Sequence, residues 1–193
     1  MMHSVAMALW LVAPVALAGL AHVAVIKLRL FPSLARVRLD FGRTWRGKPV
    51  FGDNKTWRGA LVMPLATAAF VLLQISLLPH WPWATGLAPT FQVAHPLIWG
   101  LLAGAGYIAG ELPNSFVKRQ LGLAAGATAA GGGAAPVLWV IDQVDSVLGF
   151  LLFILPVWTP PAAVVLALLA VTLVVHPVVA FIMYCLGLKT RVG

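Results

Sequence analysis

Asp142 and Asp145 are spaced so that, on a helix, both carboxylates project from one face and can share a divalent cation. They close a stretch that opens with Glu111-Leu-Pro-Asn-Ser115-Phe-Val-Lys118-Arg119 and holds three of the chain's five carboxylates. In a chain that is 61% hydrophobic, ionisable groups inside an apolar run mark a functional site by default. The plainer reading is a pair of acids hydrogen-bonded between helices for packing. A second polar stretch, Asp40 to Gly59, carries Arg43, Arg46, Lys48, Asp53, Asn54, Lys55 and Thr56 among four glycines. Glycines there permit backbone turns that aim amide groups and basic side chains at phosphate oxygens. A basic loop can also simply rest on anionic head groups, which suffices for Arg36 and Arg38. Asp53, Asn54 and Thr56 are superfluous for that purpose. Two near-matches are set aside. Gly47 to Thr56 lacks the Gly-Lys-Ser/Thr ending and the strand-to-helix setting of a P-loop. Ser115-x-x-Lys118 lacks the partner motifs of acyl-enzyme hydrolases.

A carboxylate pair for Mg²⁺ together with cationic groups is the equipment of phosphoryl or nucleotidyl transfer. The elements that must position it are membrane helices. Mean hydropathy is +0.96 and only 9% of residues are charged, too little polar surface to cover a soluble globule. Apolar runs predict an all-α integral membrane protein forming one transmembrane domain, with five spans at about 5–26, 60–78, 97–112, 137–155 and 162–186. The first is read as an uncleaved span, since no Lys or Arg precedes it and it runs well past Ala16-Leu17-Ala18.

The formal charge of +8 would suggest nucleic acid in a soluble protein, but it follows the spans instead. Nine of the thirteen basic residues lie between Lys27 and Arg58. With 27–58 and 113–135 as cytoplasmic loops, every Lys and Arg falls on one face, which puts the N-terminus outside and the C-terminus in the cytoplasm of a multi-pass cell-membrane protein. Gly100, Gly104, Gly106 and Gly110 form two small-xxx-small pairs that let another helix approach closely. The single Cys185 excludes an internal disulfide. A membrane setting implies a hydrophobic acceptor.

Gly52-Asp-Asn-Lys-Thr-Trp-Arg-Gly59, Ser115-Phe-Val-Lys-Arg119 with Gly122 following, and Pro136 leading to Asp142-Gln-Val-Asp145 resemble, in the same order, the CDP-archaeol synthase family of membrane CTP transferases, related to the CDP-diacylglycerol synthases. The resemblance implies five spans and a nucleotidyltransferase of the EC 2.7.7 type in phospholipid biosynthesis. CTP and a phosphorylated lipid alcohol would give a CDP-lipid, CDP-archaeol-like or CDP-diacylglycerol-like, and pyrophosphate, with Mg²⁺. The wider family signature falls on Ser115, Lys118, Arg119, Asp142 and Asp145. On this reading Asp142 and Asp145 hold Mg²⁺, and Lys118 and Arg119 stabilise the phosphates. Asp53, Asn54, Lys55, Thr56 and Ser115 would hold the nucleotide, and Arg43, Arg46 or Lys48 the lipid phosphate. Glu111 stands where the pattern has Asp, and the Gly122–Ala135 loop lacks the basic residue usual in CDP-diacylglycerol synthases. Two alternatives remain: a CTP-dependent polyprenol or phytol kinase, in which a lipid hydroxyl attacks the γ-phosphorus, and a small-ion transporter. The outer halves of the spans carry no Asp, Glu, Lys or Arg, which counts against a transport path. An oligomer is compatible with the sequence.

Overall fold

Residues 1–87, 95–125, 135–185 and 187 are described in the computed structural model of the chain. Long apolar runs become helices α1 (Met2–Lys27), α3 (Trp57–Ser76), α5 (Ala135–Ile154) and α6 (Ala162–Cys185). Together these four make a multi-pass membrane protein of mostly helical build, each being long and apolar enough to cross a bilayer. Helix α4 (Pro96–Gln120) is 25 residues long but falls short in apolarity, because glycines and Glu111 dilute its aliphatic residues. Among the described residues, four of the five expected spans are therefore met by length and composition.

Helix α4 also continues to Gln120, through residues 113–120 expected as loop. Pro113 removes one helical N–H but does not end the helix. Side chains from Asn114 onward are engaged by α5, and the Leu121 N–H still reaches the Val117 carbonyl. The rest of the predicted 113–135 loop is described only to residue 125, and Lys189 and Arg191 lie outside the described residues.

The five long helices close a ring, with α1 against α3 and α6, α4 between α3 and α5, and α5 against α6. Helix α4 fits because its two glycine pairs serve two different neighbours. A Cβ on Gly100 would lie 2.5 Å from the Ala68 Cα, and one on Gly104 would meet Pro64 and Thr67 of α3. A Cβ on Gly106 or Gly110 would run into the backbone of Gly149 on α5. Beside these contacts Trp99 is fully buried and meets Phe150 edge-on at 5.7 Å.

Helix α1 carries Pro14, whose missing N–H leaves the Trp10 carbonyl without its helical partner. The Gln74 Nε2 of α3 supplies it, donating to the Trp10 carbonyl at 2.9 Å. At this end Trp10 packs edge-on against Trp81 and Trp83, as suits a membrane interface.

At the opposite end the α1–α3 connection is ordered. A short helix α2 (Pro32–Arg36) precedes a two-stranded hairpin, β1 (Thr44–Trp45) and β2 (Lys48–Pro49), which departs from all-α together with an isolated antiparallel bridge between Arg38 and Thr56. Its two-residue turn, Arg46-Gly47, has positive φ at both positions, 50° and 75°, the hand that matches strand twist. The Asp40 carboxylate accepts from the N–H of Gly42 and Phe51, each at 2.9 Å, and of Gly52 at 3.4 Å. Burial raises the Asp40 pKa, but these amides and Arg38 outweigh it and hold the group below its ordinary 3.8. Its contribution to loop order is thus complete above pH 3.8 and lost as pH falls through the depressed value.

Candidate active site

Glu111, Asn114, Ser115 and Lys118 recur at i, i+3, i+4 and i+7 along α4, so they share the face turned to α5. Asp142, Asp145 and Ser146 form the facing row. The Asn114 Nδ2 donates to Asp142 Oδ1 at 2.6 Å and to Asp145 Oδ2 at 2.7 Å, holding both carboxylates at one point. Lys118 Nζ pairs with Asp142. The other Asp145 oxygen accepts from the Ser146 N–H at 2.6 Å and its hydroxyl at 3.0 Å. That hydroxyl also lies 3.2 Å from Glu111. Glu111 in turn pairs with Lys55, tying the loop to the helices. The spacing argument that placed the two aspartates together holds, and the contact is close because Gly110 and Gly149 remove the side chains that would separate the helices.

Arg119 is buried, with 7% of its surface exposed. Among the described residues its Nε and Nη1 have no hydrogen-bond partner. Gly52, at φ +92°, closes over it, and a Cβ there would lie 3.3 Å from the Arg119 Cδ. Buried guanidinium donors left unmade are costly, and an anion oxygen would relieve that cost.

The remaining predicted residues divide. Asn54, Lys55 and Thr56 line a cavity of about 250 Å³ with Glu111, so this part of the loop meets the helix cluster. Asp53 does not join the cluster; it pairs with Arg38 at 3.0 Å on the surface, where screening leaves such a bond little strength. Arg43 and Arg46 are exposed on the hairpin. Lys48 Nζ donates to the Gln120 carbonyl at 2.5 Å and Gln120 Nε2 to the Pro49 carbonyl at 3.3 Å, docking the hairpin on the end of α4. Ser115 is half-buried beside Asn114. Sequence reasoning missed the parts played by Asn114, Ser146 and Asp40. Asn114 had a usable signal, lying between Glu111 and Lys118 at helical spacing.

The sequence profile of the CarS-like CDP-archaeol synthase family matches residues 1–192. The chain belongs to this family. A CDP-archaeol synthase of Pyrococcus furiosus is 39% identical over 140 residues, 72% of each chain. Another, of Methanopyrus kandleri, is 36% identical over 154 residues, 78% of this chain and 76% of its own. That of Pyrococcus horikoshii is 33% identical over 152 residues, 78% and 79% of the two chains. A solved structure, described as an intramembrane enzyme for archaeal membrane lipids biosynthesis, superposes with a TM-score of 0.58. It covers 90% of this chain and 92% of its own at 24% identity, a likeness of fold.

Proposed function

We propose that the chain is a CTP-dependent cytidylyltransferase that converts a phosphorylated membrane lipid into its CDP-activated form. The observation that carries this reading is that Asp142 and Asp145 meet Lys118, next in sequence to the buried Arg119, whose Nε and Nη1 lack a partner among the described residues, at one end of an apolar bundle in a chain of this family. An oxygen of the lipid phosphate forms a bond to the α-phosphorus of CTP while the α–β anhydride bond breaks and pyrophosphate leaves. No protein nucleophile takes part. Arg119 and Lys118 hold phosphate oxygens and stabilise the charge that gathers on the pyrophosphate. Asn54, Lys55, Thr56 and Ser115 hold the nucleotide.

The acid pair suits Mg²⁺. Its donors are two hard carboxylates kept together by Asn114, and among the described residues no cluster of three or more His, Cys, Asp or Glu offers a ready-made cage. Mg²⁺ is typically held by one or two carboxylates plus substrate phosphates and water. Asp142 and Asp145 would hold it, and it would neutralise the triphosphate. Lys118, which pairs with Asp142, would lie within reach of the phosphates held there. The test is purified protein with Mg²⁺, labelled CTP and a panel of phosphorylated lipids. CDP-lipid with pyrophosphate is the expected product pair; phospholipid with CDP would replace this reading by a kinase.

Lys118→Ala and Lys55→Ala should each lower turnover of the folded protein about 10²-fold, as losing one aligned phosphate contact does, and each should also lower the thermal midpoint, since each leaves a part-buried carboxylate without its cation. Wild-type turnover in both variants would return these lysines to a structural role.

Orientation follows the same logic. Helix α4 is the fifth span, shielded by α3 and α5, and residues 27–58 and 113–125 face the cytoplasm with the active site. In a Cys185→Ala background, single cysteines at Arg46 and Ala124 should resist an impermeant maleimide applied to intact cells. A cysteine at Trp83 should react. Labelling at the first two positions would reverse the orientation.

A further inference from the structure

The cavity beneath the loop holds two side chains that the site described so far does not use. His22 of α1 and His176 of α6 line it together with Lys55, Thr56 and Glu111. The rest of α1 is apolar from Val5 to Ile26, as is α6 around His176 apart from Thr172, and His22 rests against Gly59, where a Cβ would lie 3.2 Å from its Cε1. From His176, Tyr107, Gly19 and Val179, which belong to both spaces, an apolar pocket continues between α1, α5 and α6, lined by Val12, Val15 and Phe150. Ser146 borders that pocket and bonds both Glu111 and Asp145, so the two spaces abut the acid pair.

Resting on the cytidylyltransferase reading, we propose that His22 and His176 clamp the phosphate of the acceptor lipid on their side of this cavity, beside the nucleotide held by Asn54, Lys55 and Thr56, with the lipid's first carbons in the apolar pocket. A phosphate monoester carries several acceptor oxygens, and each imidazole offers an N–H to it. An imidazole does so without the permanent full charge that Lys or Arg would place among apolar helices. Glu111 faces the same cavity and would repel a phosphate, but its charge is already matched by Lys55. The attacking oxygen is thereby held next to the acid pair that receives the nucleotide.

The test uses the full chain in detergent, with a dialkylglycerol phosphate titrated at saturating CTP and Mg²⁺. His22→Ala and His176→Ala should raise KM for the lipid about tenfold to a hundredfold, the range for a lost hydrogen bond to a charged group, and leave KM for CTP unchanged. Gln at either position keeps an N–H donor and should recover part of the loss. Gly19→Leu tests the space itself. A Cβ at Gly19 has nothing within 4 Å, so the larger side chain enters the cavities without displacing backbone and should exclude the lipid. Without nucleotide, the dialkylglycerol phosphate should raise the thermal midpoint of wild type, and not of Gly19→Leu. Unchanged lipid KM in the His variants or in Gly19→Leu, in a preparation whose wild type forms CDP-lipid, would overturn the clamp. So would an equal midpoint shift with inorganic phosphate, which would leave a phosphate site without a lipid. Wild type that forms no CDP-lipid from any acceptor rejects the cytidylyltransferase reading instead, and the midpoint arm still decides the clamp.

Discussion

Asp145→Asn is expected to lose CTP turnover by about 10³-fold or more while its thermal midpoint stays near wild type. The amide keeps the size of the side chain, and its oxygen still accepts from Ser146 or Asn114, but one negative charge leaves a site whose hold on a hard cation depends on charge. Asp142→Asn should lose as much turnover and, in addition, stability. Its partner Lys118 has a side chain only 12% exposed, and breaking a buried pair leaves the other charge uncompensated, at about 3–5 kcal/mol. Replacing both, Asp142→Asn with Lys118→Met, should return most of the stability and none of the turnover. Turnover is measured against Mg²⁺ concentration, with thermal unfolding in parallel. A packing pair of acids would answer differently: Asp145→Asn would keep its activity and its Mg²⁺ dependence, and that result would remove Asp145 from the metal site.

The second large effect is expected from one added methyl group. Gly149→Ala places a Cβ 2.5 Å from the Gly110 Cα and into the Gly106 carbonyl. Backbone cannot swing aside as a flexible side chain can, so α4 and α5 must separate, at or above the roughly 1–3 kcal/mol typical of overpacking. Separation also draws Asn114 and Lys118 away from Asp142 and Asp145. Thermal midpoint and turnover should therefore fall together, whereas Gly86→Ala, with nothing within 4 Å of the added carbon, should change neither. If Gly149→Ala kept full activity, the spacing of the two helices would not set the site.

Much of this was legible in the sequence for a physical reason: membrane helices must satisfy their own backbone, so apolar runs and helical spacing carry most of the structure. The i, i+3 step of Asp142 and Asp145 placed two carboxylates on one face without any knowledge of what faced them. The four glycines of α4 announced close packing, but not that one pair meets α3 and the other α5, because that needs the partner's register. Helix α4 itself was cut short at 112, since Pro113 and the polar residues after it read as an exit from the membrane, while contacts with α5 carry the helix eight residues further. Loop residues were the hardest to rank. Arg43, Arg46 and Lys55 look alike in a basic Gly-rich run, and only the folded loop separates Lys55, paired with Glu111, from Arg43 and Arg46, exposed on the hairpin. His22 and His176 gave no local signal because they come together across 154 positions of chain.

The hydrogen bond from Gln74 to the Trp10 carbonyl couples what is tolerated at position 14 to what is tolerated at position 74. Gln74 has work there because residue 14 is proline; restore an N–H at 14 and the carbonyl is claimed by its own helix. Substitutions at 14 and 74 should therefore be tolerated in one order and resisted in the other. Gln74→Leu alone strands a carbonyl in hydrocarbon, whereas Pro14→Ala first makes the same change nearly silent. A history of this chain written one substitution at a time has a direction at that pair, with the amide arriving before the proline and leaving after it.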